Sequence, residues 1–327
     1  MKRRFLTSIV LLALCLTTLI VVIASRAQVV EAESSDSGLQ RPVPLVAPPT
    51  VDLLASTACA VQPDKGSEKA RRQAMLDRRA RLLASRSTLI TRFRQAPVVA
   101  AAQTGEGSAS DSGTTNTGYV PREEIALIDP TNYGDRYLFD INGQPADLEP
   151  LVVLHETVGS ASSAISLFQT FHLNDDDQAS YHTLIKRDGT LVYLVPPDKR
   201  AFGAGNSVFV GANGPEAVKT NPSFPPSVNN FAYHISLESP YDGNSNGYTH
   251  SGYTQAQYQS LAWLVAKTGV ADERITTHKA VDRSHTRIDP RSFSDARFFS
   301  LLRPYSRTPE IAIRCTNPAD LTTTPSQ

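Results

Sequence analysis

Between residues 120 and 305, short apolar runs of strand length alternate with longer runs of helical period, and this alternation restricts the fold more than any other feature. Pro150-Leu-Val-Val-Leu-His155 is an apolar strand that ends in a histidine. Ala161 to Phe171 has helical spacing, with Ile165, Phe168 and Phe171 on the inward face. Tyr181 to Lys186, Arg187-Asp188-Gly189 and Thr190 to Val195 read as a hairpin around a glycine turn. Phe231 to Glu238 alternates as a strand. Thr254 to Thr268 predicts a helix, opened by a Thr254/Gln257 capping box and stopped by Gly269. Its apolar face is Tyr258, Leu261, Leu264 and Val265. Strands interleaved with helices predict an α/β domain over 120–305, with a mixed central β-sheet flanked by α-helices.

The flanks differ in composition. Lys2, Arg3 and Arg4 precede an apolar run from Phe5 to Ala24, and Ser25-Arg26-Ala27 offers small residues for cleavage. Residues 1–27 therefore read as a signal peptide. The run also approaches the roughly 20 residues that span a bilayer, so a membrane tether through residues 5–24 is the alternative. Both readings send the rest of the chain out of the cytoplasm. Cys59 and Cys315, the cysteines outside that run, are then expected to be joined in an oxidising compartment.

Residues 28–119 read as disordered Pro-, Ser- and Gly-rich linkers, with a tether at 101–118, interrupted by a helix at 66–96. Met75, Leu82 and Leu89 recur every seven residues, as do Leu76, Leu83 and Ile90, and Pro97 ends the pattern. From Lys65 to Arg94 there are ten Lys or Arg against two acids, Glu68 and Asp77. Such a helix either packs its stripe on the following domain or attracts an anionic polymer or lipid surface; the heptad stripe favours packing. Residues 306–327 read as a C-terminal tail. Over the whole chain, 32 basic and 32 acidic residues cancel, which leaves no global field for nucleic acid.

His155 closes a strand, His278 follows the β-prone Ile275-Thr276-Thr277, and Asp289 lies eleven residues further on. Two imidazoles and a carboxylate suffice for a catalytic zinc, leaving a fourth tetrahedral position for water. Spread over 135 positions, the three form no local ligand motif. No His-Glu-x-x-His helix is present, and no acid pair suited to glycoside cleavage stands out. Asp175-Asp176-Asp177 lacks calcium-loop spacing and reads as a solvated turn.

From His155 to about Phe293 the chain resembles the zinc-dependent N-acetylmuramoyl-L-alanine amidases and peptidoglycan recognition proteins. Leu151-Val-Val-Leu-His155-Glu-Thr157 is similar to the family's first-ligand strand, and Ser180-Tyr181-His182-Thr-Leu-Ile-Lys-Arg-Asp-Gly189 to its hairpin. Asn229-Asn-Phe-Ala-Tyr-His-Ile-Ser-Leu-Glu238 resembles a strand ending in glutamate, and Tyr253-Thr-Gln-Ala-Gln-Tyr258 the start of the long helix. Thr277-His278 with Arg287-Ile288-Asp289-Pro290 resembles the closing motif.

The resemblance implies zinc held by His155, His278 and Asp289, with Tyr181 as the active-site tyrosine. It implies Glu238 as general base, the alternative being a strand-end acid that accepts backbone N–H groups. Arg287 stands where the family usually has lysine; its fixed charge suits an oxyanion and cannot shuttle a proton. His182 and His234 read as core or supporting residues, and His285 as a neighbour of the ligand loop.

The implied activity is hydrolysis of the lactyl–L-alanine amide of peptidoglycan, in the periplasm or extracellular envelope of a bacterium. A non-catalytic peptidoglycan-binding module on the same fold is the alternative. Three further departures from the family pattern stand out. Glu156 replaces an aromatic, Gly203 in Phe202-Gly203-Ala204-Gly205 replaces a histidine, and Arg291 replaces a glycine.

Overall fold

A computed structural model describes residues 57–86, 88–95, 118–245 and 247–317. All of them fall in the unit Pro49–Gln327. The expected signal or anchor, the linker before residue 57, the tether at 101–117 and residues 318–327 lie outside the described residues. Among those described, no helix is long and apolar enough to cross a membrane.

The strands in chain order are β1 (Glu123–Ile125), β2 (Tyr133–Asp135), β3 (Leu151–Glu156), β4 (Thr183–Ile185) and β5 (Leu191–Tyr193). They continue with β6 (Lys199–Ala201), β7 (Phe209–Gly211), β8 (Gly214–Glu216), β9 (Ala232–Leu237) and β10 (Ile275–Thr277). The helices are α1 (Glu68–Ala84), α2 (Ala161–Gln169), α3 (Gln255–Ala266), α4 (His278–Val281) and α5 (Asp295–Leu302). Six strands form the main sheet in the order β1-β5-β4-β9-β3-β10. The β4–β5 hairpin is antiparallel and the other neighbours run parallel. This is the expected mixed sheet.

Every residue of β3 and β9 is buried, because parallel strands at the centre of a sheet are covered on both faces. On one face Val152, Leu154, Tyr233, Ile235 and Leu237 pack against Tyr258, Leu261 and Leu264 of α3 and Phe298 and Leu302 of α5. Truncating one of these aliphatic side chains to Ala costs about 2–5 kcal/mol. The other face carries two separate apolar clusters. Leu151, Val153 and Ala232 join Val218 and Val281, while Leu184 and Val192 join Phe168 of α2. By two-residue alternation His155, His234 and Ser236 continue this second face, and all three are fully buried. A polar strip thus runs along an otherwise apolar sheet.

Local signals held where they were complete. Thr254 Oγ1 accepts from the Gln257 N–H, and Gln257 Oε1 accepts from the Thr254 N–H, each at 3.1 Å. Gly189 turns the hairpin at φ 87°, and a Cβ there would come within 3.0 Å of Ala256. Only glycine meets both demands.

Other boundaries differ from expectation. The basic helix ends at Ala84, short of residue 96, and buries no residue fully. Its arginines do the docking. Arg79 pairs with Asp129 at 2.6 Å, Arg78 donates to the carbonyls of Pro130 and Tyr133, and Arg86, just past the helix, to that of Leu127. Leu83 and Leu89, both expected in the stripe, are exposed. Phe171, expected inward, lies beyond the end of α2, is exposed and stacks under Arg79.

Cys59 and Cys315 form the expected disulfide. Ala58 bridges to Thr316 and Ala60 to Tyr137, so this end of the expected linker is fixed to the domain. The domain also passes residue 305. Ile311 and Ile313 are buried in the core, and Glu310 pairs with Lys267 at 2.7 Å and Arg94 at 3.0 Å.

Candidate metal and catalytic site

β3 delivers His155 at its carboxyl end. β10 pairs with β3 so that Thr277 lies opposite Leu154, and the chain turns there into α4 with the Thr277 side chain capping Ala280. His278, the first residue of α4, therefore comes beside His155, with ring centroids 4.6 Å apart. The carbonyl of Asp289 accepts from the Lys279 N–H at 2.9 Å, which returns the loop to the start of the same helix. One ligand atom from each of His155, His278 and Asp289 then lies within 4.8 Å of the others.

The three residues fit a zinc ion. Asp289 Oδ1 is 3.0 Å from His278 Nδ1, and Oδ2 is 3.4 Å from His155 Nδ1. Donors at tetrahedral corners about 2 Å from a metal stand about 3.3 Å apart. His155 Nδ1 is buried and makes no hydrogen bond within the protein. Burial pushes the His155 imidazole down to about 4, against a partly offsetting Asp289 carboxylate, so the ring is neutral. Burial pushes Asp289 up, and the two imidazoles more than reverse it, holding the carboxylate well below its usual range.

Tyr181 packs its ring 4.7 Å from that of His155 and edge-on to Phe168. Burial raises its phenol above the ordinary value near 10, which keeps it a proton donor. Arg287 is exposed, and its charge is felt at both His155 and Tyr181. Its backbone N–H bonds Asp282 Oδ2 at 2.9 Å, as does that of Thr286, while Oδ1 takes the N–H of Ser284 at 3.0 Å. One carboxylate, unremarked in the sequence, thus shapes the loop between the second and third candidate ligands.

Residues 147–292 match the sequence profile of the N-acetylmuramoyl-L-alanine amidase family, Amidase_2. This segment belongs to that family. The 1,6-anhydro-N-acetylmuramyl-L-alanine amidase AmpD of Citrobacter freundii is 34% identical over 139 residues, which are 39% of this chain and 60% of that protein. The AmpD of Escherichia coli strain K12 is 38% identical over 85 residues, 26% of this chain and 35% of that one. The chain thus spans less than two thirds of the length of these curated relatives. The solution structure of Citrobacter freundii AmpD superposes with a TM-score of 0.37 at 26% identity, covering 60% of this chain and 96% of that one.

Within this amidase domain Glu238 does not have the free carboxylate expected of a general base. Its Oε1 accepts the N–H of Ala161 at 3.0 Å and its Oε2 that of Arg187 at 2.9 Å. The Arg187 guanidinium stands 3.1 Å from Oε1. Both oxygens are engaged by groups that start α2 and turn the hairpin, as the strand-end alternative anticipated. His285 is exposed at a left-handed position, φ 57°. His182 is buried and takes the backbone N–H of His234 on Nδ1 at 2.9 Å. His234 Nδ1 lies 2.9 Å from His155 Nε2. Asp175–Asp177 form an exposed 3-10 turn.

Two of the three departures from the family pattern are partners. Arg291 Nε meets Glu156 Oε1 at 2.6 Å, and the Arg291 backbone N–H reaches the same oxygen at 3.0 Å. Ser239 Oγ and His250 Nε2 face Glu156 Oε2 at 2.8 and 3.1 Å. Arg291 also donates to the carbonyls of Gly243, Ser245 and Gly247. The residue after His155 is thereby tied to the residue two beyond Asp289. The only hint in the sequence was that both departures lie next to candidate ligands.

Proposed function

We propose that the chain hydrolyses the amide between the muramic acid lactyl group and the first L-alanine of peptidoglycan. The observation that carries this reading is the convergence of His155, His278 and Asp289 to within 4.8 Å inside an amidase-family segment. Bound there, zinc would supply Lewis acidity for the scissile carbonyl and a water of lowered pKa. Tyr181, protonated and packed on His155, would donate a hydrogen bond to the carbonyl oxygen as charge develops. Arg287 adds a fixed positive charge on the same side. Glu238 is read as a structural acid.

Export is proposed from two independent supports: the basic and apolar N-terminal segment, and the Cys59–Cys315 disulfide.

Mass spectrometry of purified sacculi incubated with the protein tests the reading, with added zinc and with a chelator. Free stem peptides with a new N-terminal alanine, lost on chelation, are expected. Binding to sacculi without release in either condition would favour the non-catalytic module. A parallel incubation with soluble 1,6-anhydromuramyl peptides, the substrate named in the curated relatives, separates polymer from fragment preference.

A further inference from the structure

His234 is not one of the three candidate ligands, yet its ring meets His155 on the nitrogen that faces away from Asp289. Its Nδ1 is 2.9 Å from His155 Nε2, and a single proton lies between them. If His155 carries that proton, its Nδ1 keeps the lone pair that faces Asp289 Oδ2 at 3.4 Å. If His234 carries it, neutral His155 is protonated on Nδ1 and cannot ligate a metal there.

The His234 ring is fully buried and lies parallel to that of His182, centroids 5.8 Å apart, and its backbone is held as well. The backbone N–H of His234 can only donate, so His182 Nδ1, 2.9 Å away, has a lone pair and His182 Nε2 carries hydrogen. That hydrogen points at the Lys199 carbonyl, 2.9 Å off, and anchors the pair. On the other side stands Gly203. A Cβ there would come 2.5 Å from His234 Nδ1 and 2.6 Å from its Cγ. The family pattern has a histidine at position 203; here the ring from position 234 takes up the adjoining space. His234 Nε2 is buried without a hydrogen-bond partner. A leucine would fill the space without that cost, so the contact made by Nδ1 is what favours an imidazole.

We propose that His234 is a positioning residue that selects the Nε2–H tautomer of His155 and so presents His155 Nδ1 to zinc, with Gly203 making the room it needs. This rests on reading His155, His278 and Asp289 as a zinc site.

The test measures zinc affinity, by competition with a chromophoric chelator, for the wild type, His234→Leu, His234→Asn and Gly203→Ala. Long-range 1H–15N NMR of the zinc-free proteins reads the tautomer of His155 directly. His234→Leu and Gly203→Ala are expected to weaken zinc by about 10- to 100-fold, and His234→Asn, whose amide oxygen can accept, to restore most of it. The wild type is expected to show His155 protonated on Nε2, and His234→Leu to show a mixture. Unchanged zinc affinity in His234→Leu, or a zinc-free wild type protonated on Nδ1, would overturn the proposal. If the wild type takes up no zinc, the zinc reading fails, and the NMR tautomer still decides the role of His234. Because that spectrum uses the unaltered protein, a variant that does not fold leaves the proposal testable.

Discussion

The carboxylate of Glu156 is gripped by Arg291 through both its guanidinium and its backbone N–H, with side-chain exposures of 0% and 2%. Two charges so fully buried are tolerated only as a pair. Arg291→Ala is expected to cost about 3–5 kcal/mol, because it strands a carboxylate beside His155. Replacing both, Glu156→Phe with Arg291→Gly, should recover much of that loss, since the family pattern has an aromatic and a glycine at these positions. Thermal unfolding of the singles and the double gives the coupling. Additive losses in the double variant would show that the pair does not act as a unit.

Glu238→Gln separates a structural acid from a base. Loss of a general base lowers turnover by about 10²- to 10⁴-fold. Here the expected result is turnover within about tenfold of wild type and a stability loss of about 1–3 kcal/mol, as the new amide faces the donors of Arg187. Turnover and unfolding on the same preparation decide between them.

Stability of the zinc-free protein should fall in mild acid. Burial holds His155, His182 and His234 neutral, His155 down to about 4 and the other two well below the ordinary value of 6.5. The unfolded chain takes up protons below about pH 6.5 that the folded chain refuses, so falling pH favours unfolding. An imidazole so held contributes at most about 1.4 kcal/mol per pH unit, and the His155 part ends near pH 4. Urea midpoints measured between pH 7.5 and 5 should drop steeply; a flat profile would contradict neutral burial.

Asp289→Ala and His278→Ala should each abolish zinc uptake and turnover together, read by metal analysis and stem-peptide release. Asp282→Ala should leave all three ligands in the sequence yet weaken zinc, because the backbone N–H groups of Ser284, Thr286 and Arg287 lose the carboxylate that accepts them. About 10- to 100-fold is expected from the loss of such support.

What could be read from the sequence was what depends on neighbours a few residues away. The Thr254/Gln257 box and the Gly189 turn each resolve within four residues and formed as expected. Two candidate ligands, His155 and His278, lie where strands end, and Asp289 sits in a loop. For Glu238 the sequence left base and strand-end acid both open, because the donors to a carboxylate come from anywhere: its partners Ala161 and Arg187 are 77 and 51 positions away. Helix α1 showed a heptad but not its docking chemistry, since arginine acceptors at Leu127, Asp129 and Pro130 are backbone or loop groups without a pattern. Glu156 and Arg291, 135 positions apart, looked like two unrelated oddities.

The Cys59–Cys315 bond has a separation of 256 residues and encloses the whole sheet and every candidate ligand. Covalently, residues 59–315 are therefore a closed loop, joined to the preceding residues at one point. A pull on the residues before Cys59 reaches a crosslink before it reaches any strand among the described residues. At Cys59 the load divides between the backbone that leads to α1 and the crosslink to Cys315. Residues 59–315 are therefore not drawn out end-first from the N-terminal side until the crosslink is reduced.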